Sequence, residues 1–172
     1  MPFATSSTGA LPHLWGELLN LRLGRLMEHV PYKGAADALR DVLAGHVPAF
    51  MDTTTPIDQQ IRAGKMRGLI VGAPERVAAT PDVPTAAELG MKDLEAAVYF
   101  GVAATAGTPA PLIARYNAAI NAALKQPAVR ERLGTLGFIP TGGTPEAYAE
   151  RLRSETARWR AVIKEAGIKP PV

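Results

Sequence analysis

The amino-acid sequence predicts an α/β protein built on a parallel sheet. Three observations carry this expectation. From Phe3 to Gly72, short apolar runs alternate with amphipathic stretches in a β-α-β-α-β-α-β pattern with short connections. Such alternation favours a parallel sheet covered by helices on both faces. The chain is 47% hydrophobic and 20% charged, a balance that supports a packed core rather than disorder. Aromatic residues make up only 6%, while glycine and proline number 16 and 15, which favours tight αβ turns over a β-sandwich.

Phe3-Ala4-Thr5 reads as the first strand and runs into Ser6-Ser7-Thr8-Gly9. An amphipathic helix follows from about Pro12 to Leu23. Its Leu14, Leu18, Leu19 and Leu23 recur at helical spacing, and Gly24 stops it. Leu26 to Val30 is the second strand, broken by Pro31-Tyr32-Lys33-Gly34. The second helix, about Ala35 to Ala44, is expected to turn Leu39, Val42 and Leu43 inward before Gly45. Val47 to Met51 is the third strand, with Asp52-Thr53-Thr54 as its exit. Thr55-Pro56 supplies an N-cap and an N1 proline to a short helix bearing Ile57 and Ile61. Gly68 to Gly72 is continuously apolar, as expected of a fourth strand buried on both faces. The expected strand order is 2-1-3-4.

Beyond the fourth strand the composition shifts. Residues 73 to 84 form a proline-punctuated excursion, and Thr85 with Glu88 fits a capping box over one helical turn. Ala96 to Ala104 reads as a longer strand without an evident partner. Helices follow over about Ala110 to Lys125, with Leu112, Tyr116, Ile120 and Leu124 on one face, and over Pro127 to Leu136. The last, opened by Thr144-Pro145-Glu146, carries Tyr148, Leu152, Trp159 and Ile163 on one face and stops at Gly167. Trp15 and Trp159 are read as core anchors of their helices. A boundary is expected near residues 92 to 100, dividing the chain into 1–95 and 96–172.

The candidate site follows from the predicted order. A strand that runs through a small-residue loop into a helix start makes a seat for an anion, because loop and first-turn N–H groups are unpaired and the helix dipole favours negative charge. With strands one and three as neighbours, the crevice between them is the switch point where open α/β sheets bind ligands. Ser6, Ser7, Thr8 and Gly9 would line it with Asp52, Thr53 and Thr54, and Tyr32, Lys33 and Gly34 would lie alongside. Asp52 would meet a ligand amine or ordered water, or else cap its own loop. Lys33 would offer charge to a carboxylate or remain a solvated turn residue. Tyr32 would pack, its hydroxyl at the cleft edge. His13, in the first turn of its helix, is a candidate contact but fits a surface position better.

Other classes find little support. The net charge is +3, but the basic residues are dispersed and interleaved with Glu146, Glu150, Glu155 and Glu165, so nucleic-acid binding is not expected. His29 and His46 lack a second ligand at metal spacing, and no metal is expected. No P-loop, dinucleotide fingerprint or nucleophile elbow occurs, so neither a cofactor nor a catalytic residue is assigned. There is no cysteine, which excludes disulfides and thiol chemistry. No run of about 18 apolar residues occurs, so no membrane-spanning segment is predicted.

Several motifs together resemble one family. His29-Val30-Pro31-Tyr32-Lys33-Gly34, Ser6-Ser7-Thr8-Gly9 with His13-Leu14, and Ala63-Gly64-Lys65-Met66-Arg67 are similar to signatures of the tripartite tricarboxylate transporter substrate-binding receptors, the Bug or TctC-like family. So are Pro81-Asp82-Val83-Pro84-Thr85, Ala106-Gly107-Thr108-Pro109 and Ala166-Gly167-Ile168-Lys169. The resemblance implies a periplasmic-binding-protein-like fold of type II, a cleft closing on a small carboxylate, and delivery to membrane transporter subunits in the periplasm. Family members are nearly twice as long and open with a signal peptide and a first lobe. Here Met-Pro-Phe-Ala-Thr shows no basic and apolar leader, so the chain as it stands is expected to remain cytoplasmic.

Residues 1–95 then correspond to a near-complete second lobe. Residues 96–172 correspond to a crossover strand and C-terminal helices of an incomplete first lobe, whose uncovered faces would invite self-association. An alternative function is a ligand-sensing or protein-interaction module on the same lobe. The least favoured is a small flavodoxin-like enzyme, for which only Asp52 and Lys33 stand at the strand ends.

Overall fold

A computed structural model describes residues 1–136 and 138–169. The chain divides into two units. One comprises Met1–Val98 together with the chain from Trp159 onward, and the other is Tyr99–Arg158.

The first unit opens with β1 (Pro2–Thr5), α1 (Leu11–Arg22), β2 (Glu28–Pro31), α2 (Ala35–Leu43) and α3 (Asp58–Arg62). β1 and β2 pair in parallel, with Phe3 opposite His29 and Thr5 opposite Pro31. On the other side of β1, Ala4 bridges Phe50 in parallel. The Ala4 N–H donates to the Ala49 carbonyl at 2.8 Å, and the Met51 N–H donates to the Ala4 carbonyl at 2.9 Å. β1 therefore lies between β2 and the third apolar run, the 2-1-3 part of the expected order.

The sheet is smaller than the pattern predicts. Regular pairing covers β1 and β2 only, and the third run contributes a single bridge. Pro48 in that run has no N–H to donate. The fourth run makes no ladder with the others among the described residues. Its Val71 bridges Thr85, donating to the Pro84 carbonyl and accepting from the Ala86 N–H, each at 2.9 Å. The Gly72 carbonyl accepts from the Ala96 N–H at 2.7 Å. The glycines at its ends allow this: a Cβ on Gly68 would collide with Val83, and one on Gly72 would crowd the Trp15 indole nitrogen. Nor is the run buried on both faces, since Leu69 is 66% exposed.

Alternation along β1 divides the core. Phe3 joins Leu18, Leu19, Met27, Ala86, Leu94 and Val162 in one cluster, with Trp15, Met51 and Trp159 packed against it. Ala4 joins Ala38 and Val47 in a second, bordered by Val30, Tyr32, Val42 and Phe50. α1 thus serves one face of the sheet and α2 the other. In α2 the inward residues are Ala38 and Val42, one turn apart, whereas Leu43 points outward at the helix end. The Thr85–Glu88 capping box forms: the Thr85 N–H donates to the Glu88 carboxylate at 2.8 Å, and the Glu88 N–H donates to Thr85 Oγ1 at 3.1 Å. Arg76 pairs with the same carboxylate and holds its pKa below the usual range.

The second unit holds α4 (Ala110–Lys125), α5 (Pro127–Thr135) and most of α6 (Pro145–Ala166). The strand expected over Ala96–Ala104 does not form among the described residues, because the segment finds no ladder partner. Its Phe100 is 79% exposed, and its ring meets Phe138 edge-on at 5.4 Å. Asn121 grips Gly143, accepting its N–H at 2.9 Å and donating to its carbonyl at 2.8 Å. Arg151 sits 4.4 Å over the Tyr99 ring. None of the described residues of this unit is buried.

Candidate functional site

The parallel alignment of β2, β1 and the third run brings their C-terminal exits to one end of the sheet. These exits are Tyr32–Gly34, Ser6–Gly9 and Asp52–Thr54. The Tyr32 N–H donates to the Thr5 carbonyl at 3.1 Å, which ties two of them together. α1 begins after Ala10 and α2 after Gly34, and neither N-cap side chain bonds its helix. Two helix starts with unanswered N–H groups therefore stand at this end of the sheet, where their dipoles favour an anion.

The loop between β1 and α1 is fastened at both ends. Ser6 and Ser7 are half-buried, while Thr8 and Gly9 are exposed. At the far end Gly9, in the left-handed region at φ 78°, donates its N–H to His13 Nδ1 at 3.0 Å. That amide, which the sequence assigns to the anion seat, is thus engaged by the protein itself. His13 is buried rather than on the surface, because its ring stacks on His29 with centroids 3.9 Å apart. At the near end Thr5 Oγ1 lies 2.7 Å from His29 Nε2 and 3.0 Å from the Ser7 carbonyl.

These contacts determine the protons. A hydroxyl has one proton, and the Ser7 carbonyl can only accept. Thr5 therefore donates to Ser7, and His29 Nε2–H donates to Thr5. His13 Nδ1, as an acceptor, must be bare, which makes His13 neutral with its proton on Nε2. The environment agrees. Burial lowers the His13 pKa, with partial compensation from Glu17. Burial first and His13 second push His29 down to about 4. Thr5 and His29 escaped the sequence-level choice of site residues, since each sits inside a strand pattern that also reads as plain core.

At the third exit, Asp52 Oδ1 accepts the Thr53 N–H at 2.7 Å, and the Thr53 hydroxyl lies 3.4 Å away. Asp52 Oδ2 is buried without a hydrogen-bond partner among the described residues. Tyr32 turns its hydroxyl to Asp41 Oδ2 on α2 at 2.8 Å, a bond that raises the phenol pKa. Lys33 is exposed and Gly34 half-buried. His46 lies beside Asp41 at 3.9 Å. Among the described residues no three His, Asp or Glu side chains are placed to hold a metal. No helix there is long and apolar enough to cross a membrane. A depression of about 380 Å³ between Ile61–Leu69 and Asp82–Pro84 shares no residue with these exits.

Comparison with known proteins supplies the context. The family model described as the tripartite tricarboxylate transporter family receptor, TctC, matches residues 1–168. The chain is 38% identical over 168 residues to a UPF0065 protein in the TAR-I ttuE-ttuC' intergenic region of Agrobacterium vitis, covering 96% of this chain and 49% of that one. Among solved structures, Rpa4515 of R. palustris with adipate is 33% identical with a TM-score of 0.80, covering 99% of this chain and 57% of that one. The periplasmic binding protein BugD is 33% identical with a TM-score of 0.73, covering 98% and 57%. MatC of Rhodopseudomonas palustris with bound malate is 31% identical with a TM-score of 0.72, covering 95% and 56%. The chain thus spans about half the length of the relatives it matches. With a family model matching from residue 1 to residue 168 and a parallel α/β fold shared with these binding proteins, this chain belongs to the TctC family of tripartite tricarboxylate transporter receptors.

Proposed function

We propose that this chain is part of a solute receptor that holds a small carboxylate and presents it to the membrane subunits of a tripartite tricarboxylate-type transporter. The observation that carries the reading is the convergence of two helix starts without a side-chain cap and three loop exits at one end of parallel segments. The adipate and malate held by two similar structures support a dicarboxylate as the ligand class. In this reading Ser6, Ser7, Thr8 and Gly9 frame the seat. Tyr32, Lys33 and Gly34 flank it, Asp52 and Thr53 close its other side, and His13 acts from behind. Residues 1–95 serve as the second ligand-binding lobe, and 96–172 as crossover segment and C-terminal helices of the first. Work in the periplasm is part of the proposal, supported by the similar periplasmic binding protein BugD. So is self-association through the uncovered faces of the C-terminal helices, where Tyr116, Ile120 and Leu152 are exposed.

The role is binding without chemistry. Three or four net hydrogen bonds at about 0.5–1.5 kcal/mol each, set against the cost of association, correspond to a dissociation constant of roughly millimolar or weaker for this chain alone. Closing a second lobe on the ligand would desolvate it and strengthen each bond. Titration of adipate and malate into 15N-labelled chain, followed by amide NMR, tests the site. The expected shifts are saturable and confined to Ser6–Gly9, Tyr32–Gly34 and Asp52–Thr54. Shifts confined to other residues, or none in any of the three exits, would overturn the assignment.

A further inference from the structure

We propose that His13 is a positioning residue with a proton-operated catch: neutral, it pins the Gly9 end of the loop, and protonated, it lets that end go while the Ser7 end stays fastened. The inference rests on the reading of this loop as part of the carboxylate seat. It adds that the seat's geometry responds to acid at one identifiable bond.

The two ends of the loop differ in the kind of atom that holds them. At the Ser7 end the chain of bonds runs from His29 Nε2–H to Thr5 Oγ1 and from Thr5 to the Ser7 carbonyl. A second proton on the His29 ring adds a donor at Nδ1 and leaves Nε2–H unchanged, so this fastening persists in either charge state. At the Gly9 end the fastening is an acceptor, the bare Nδ1 of His13. A proton there turns the acceptor into a donor facing the donor N–H of Gly9. The bond cannot survive, and the exposed Gly9 backbone is free to turn away.

Burial lowers the pKa of both stacked rings; at His13 the Glu17 carboxylate, one turn further along α1, partly offsets this, whereas at His29 the neighbouring His13 adds to it, so His13 takes the first proton more readily. Of the other elements packed on β1 and β2, the third run brings the Asp52 carboxylate to this end of the sheet, where its Oδ1 accepts the Thr53 N–H at 2.7 Å. On α2, Arg40 pairs with Asp37 at 3.0 Å and lies 3.8 Å from Asp41, and Asp41 accepts the Tyr32 hydroxyl. The other close neighbour of the His29 ring, Phe3, is uncharged, with ring centroids 5.3 Å apart. Released, the Gly9 amide is one more donor at the head of α1. The catch therefore exchanges a fixed loop for a looser one with an additional donor.

The test needs no ligand, so it stands or falls separately from the carboxylate reading. In the whole chain, the backbone amides and the histidine ring protons are followed by NMR from about pH 7.5 to about pH 4. The Gly9 amide is expected to step with the midpoint of the His13 ring and to lose at least about tenfold in exchange protection below it, while Ser7 shows no step. His13→Asn, which keeps an oxygen acceptor near the Nδ1 position and cannot take the proton, should abolish the Gly9 step. His46→Gln should leave it in place. A Gly9 amide that ignores the His13 midpoint, a step that survives His13→Asn, or α1 and Ser7 amides that collapse at the same pH would each overturn the proposal. If His13→Asn does not fold, the wild-type comparison of Gly9, Ser7 and His13 midpoints decides alone.

Discussion

Asn20 and Met27 exchange two hydrogen bonds as two strands of a sheet would. Asn20 Oδ1 accepts the Met27 N–H at 2.8 Å, and Asn20 Nδ2 donates to the Met27 carbonyl at 2.9 Å. Both residues are buried. The side chain ties the end of α1 to the entry of β2, and so sets where β2 starts relative to β1.

Asn20→Ala leaves a buried N–H and a buried carbonyl without partners. At roughly 1–3 kcal/mol for each group, the expected loss is about 2–6 kcal/mol of stability. Urea denaturation should show a lower midpoint. A change below about 0.5 kcal/mol would mean that water replaces both bonds.

Gly16 lies on the buried side of α1 against the Phe3 ring, and an added Cβ would collide with that ring and stand 2.9 Å from Met51 Sδ. Gly16→Ala should destabilise by about 1–2 kcal/mol, as overpacking outweighs the gain of roughly 1 kcal/mol in helix propensity. Adding Phe3→Leu makes room for the new methyl. The double variant should therefore lose less than the sum of the singles, and additive losses would locate the strain elsewhere.

Stability should fall in mild acid. His13 and His29 both take protons less readily folded than unfolded, His29 down to about 4 from 6.5. Between those values the unfolded chain binds protons that the folded chain refuses, so stability is full above the unfolded pKa and declines as pH drops through the window. A loss of about 1 kcal/mol corresponds to a melting point lower by roughly 2–4 °C at this chain length. Thermal melts at pH 7.5 and pH 4.5, each referenced to the His13→Asn, His29→Gln double variant, would show the effect as a difference the variant lacks.

Asp52 places a carboxylate at the end of the sheet where the ligand's own carboxylate is proposed to sit. Removing that like charge with Asp52→Asn should strengthen adipate binding by about 2–5-fold, the effect of one partly solvated charge. Weaker binding in the amide variant would instead make Asp52 Oδ2 an acceptor for a water that bridges to the ligand. The amide titration used for the site measures either outcome.

Much of the fold is legible locally. α1, α2, α4 and α5 fall within a residue or two of their expected bounds, since each combines an apolar stripe with a proline start or a glycine stop. The Thr85–Glu88 box is equally local, because both partners lie within one turn. The errors fall where an element needs a distant partner. Gly68–Gly72 and Ala96–Ala104 have strand-like composition, but a strand exists only if another segment accepts its hydrogen bonds. The first spends them on residues 84–86 and Ala96, and the second finds no ladder.

The candidate site divides in the same way. By itself the sequence determined that a small hydroxyl-rich loop enters α1, that two more polar turns follow strands two and three, and that the family's motifs run the length of the chain. Tertiary structure alone decided which atoms of that loop are free. Parallel pairing of β1 with β2 places His29 beside Thr5, and α1 lays His13 on the same ring. No spacing rule connects residues 5, 13 and 29, because their meeting depends on the register between two strands and the face that a helix turns to them. Local propensity is encoded in a few neighbouring residues. Hydrogen-bond partners that are distant in the chain are settled only when the core closes and every buried polar group must find one.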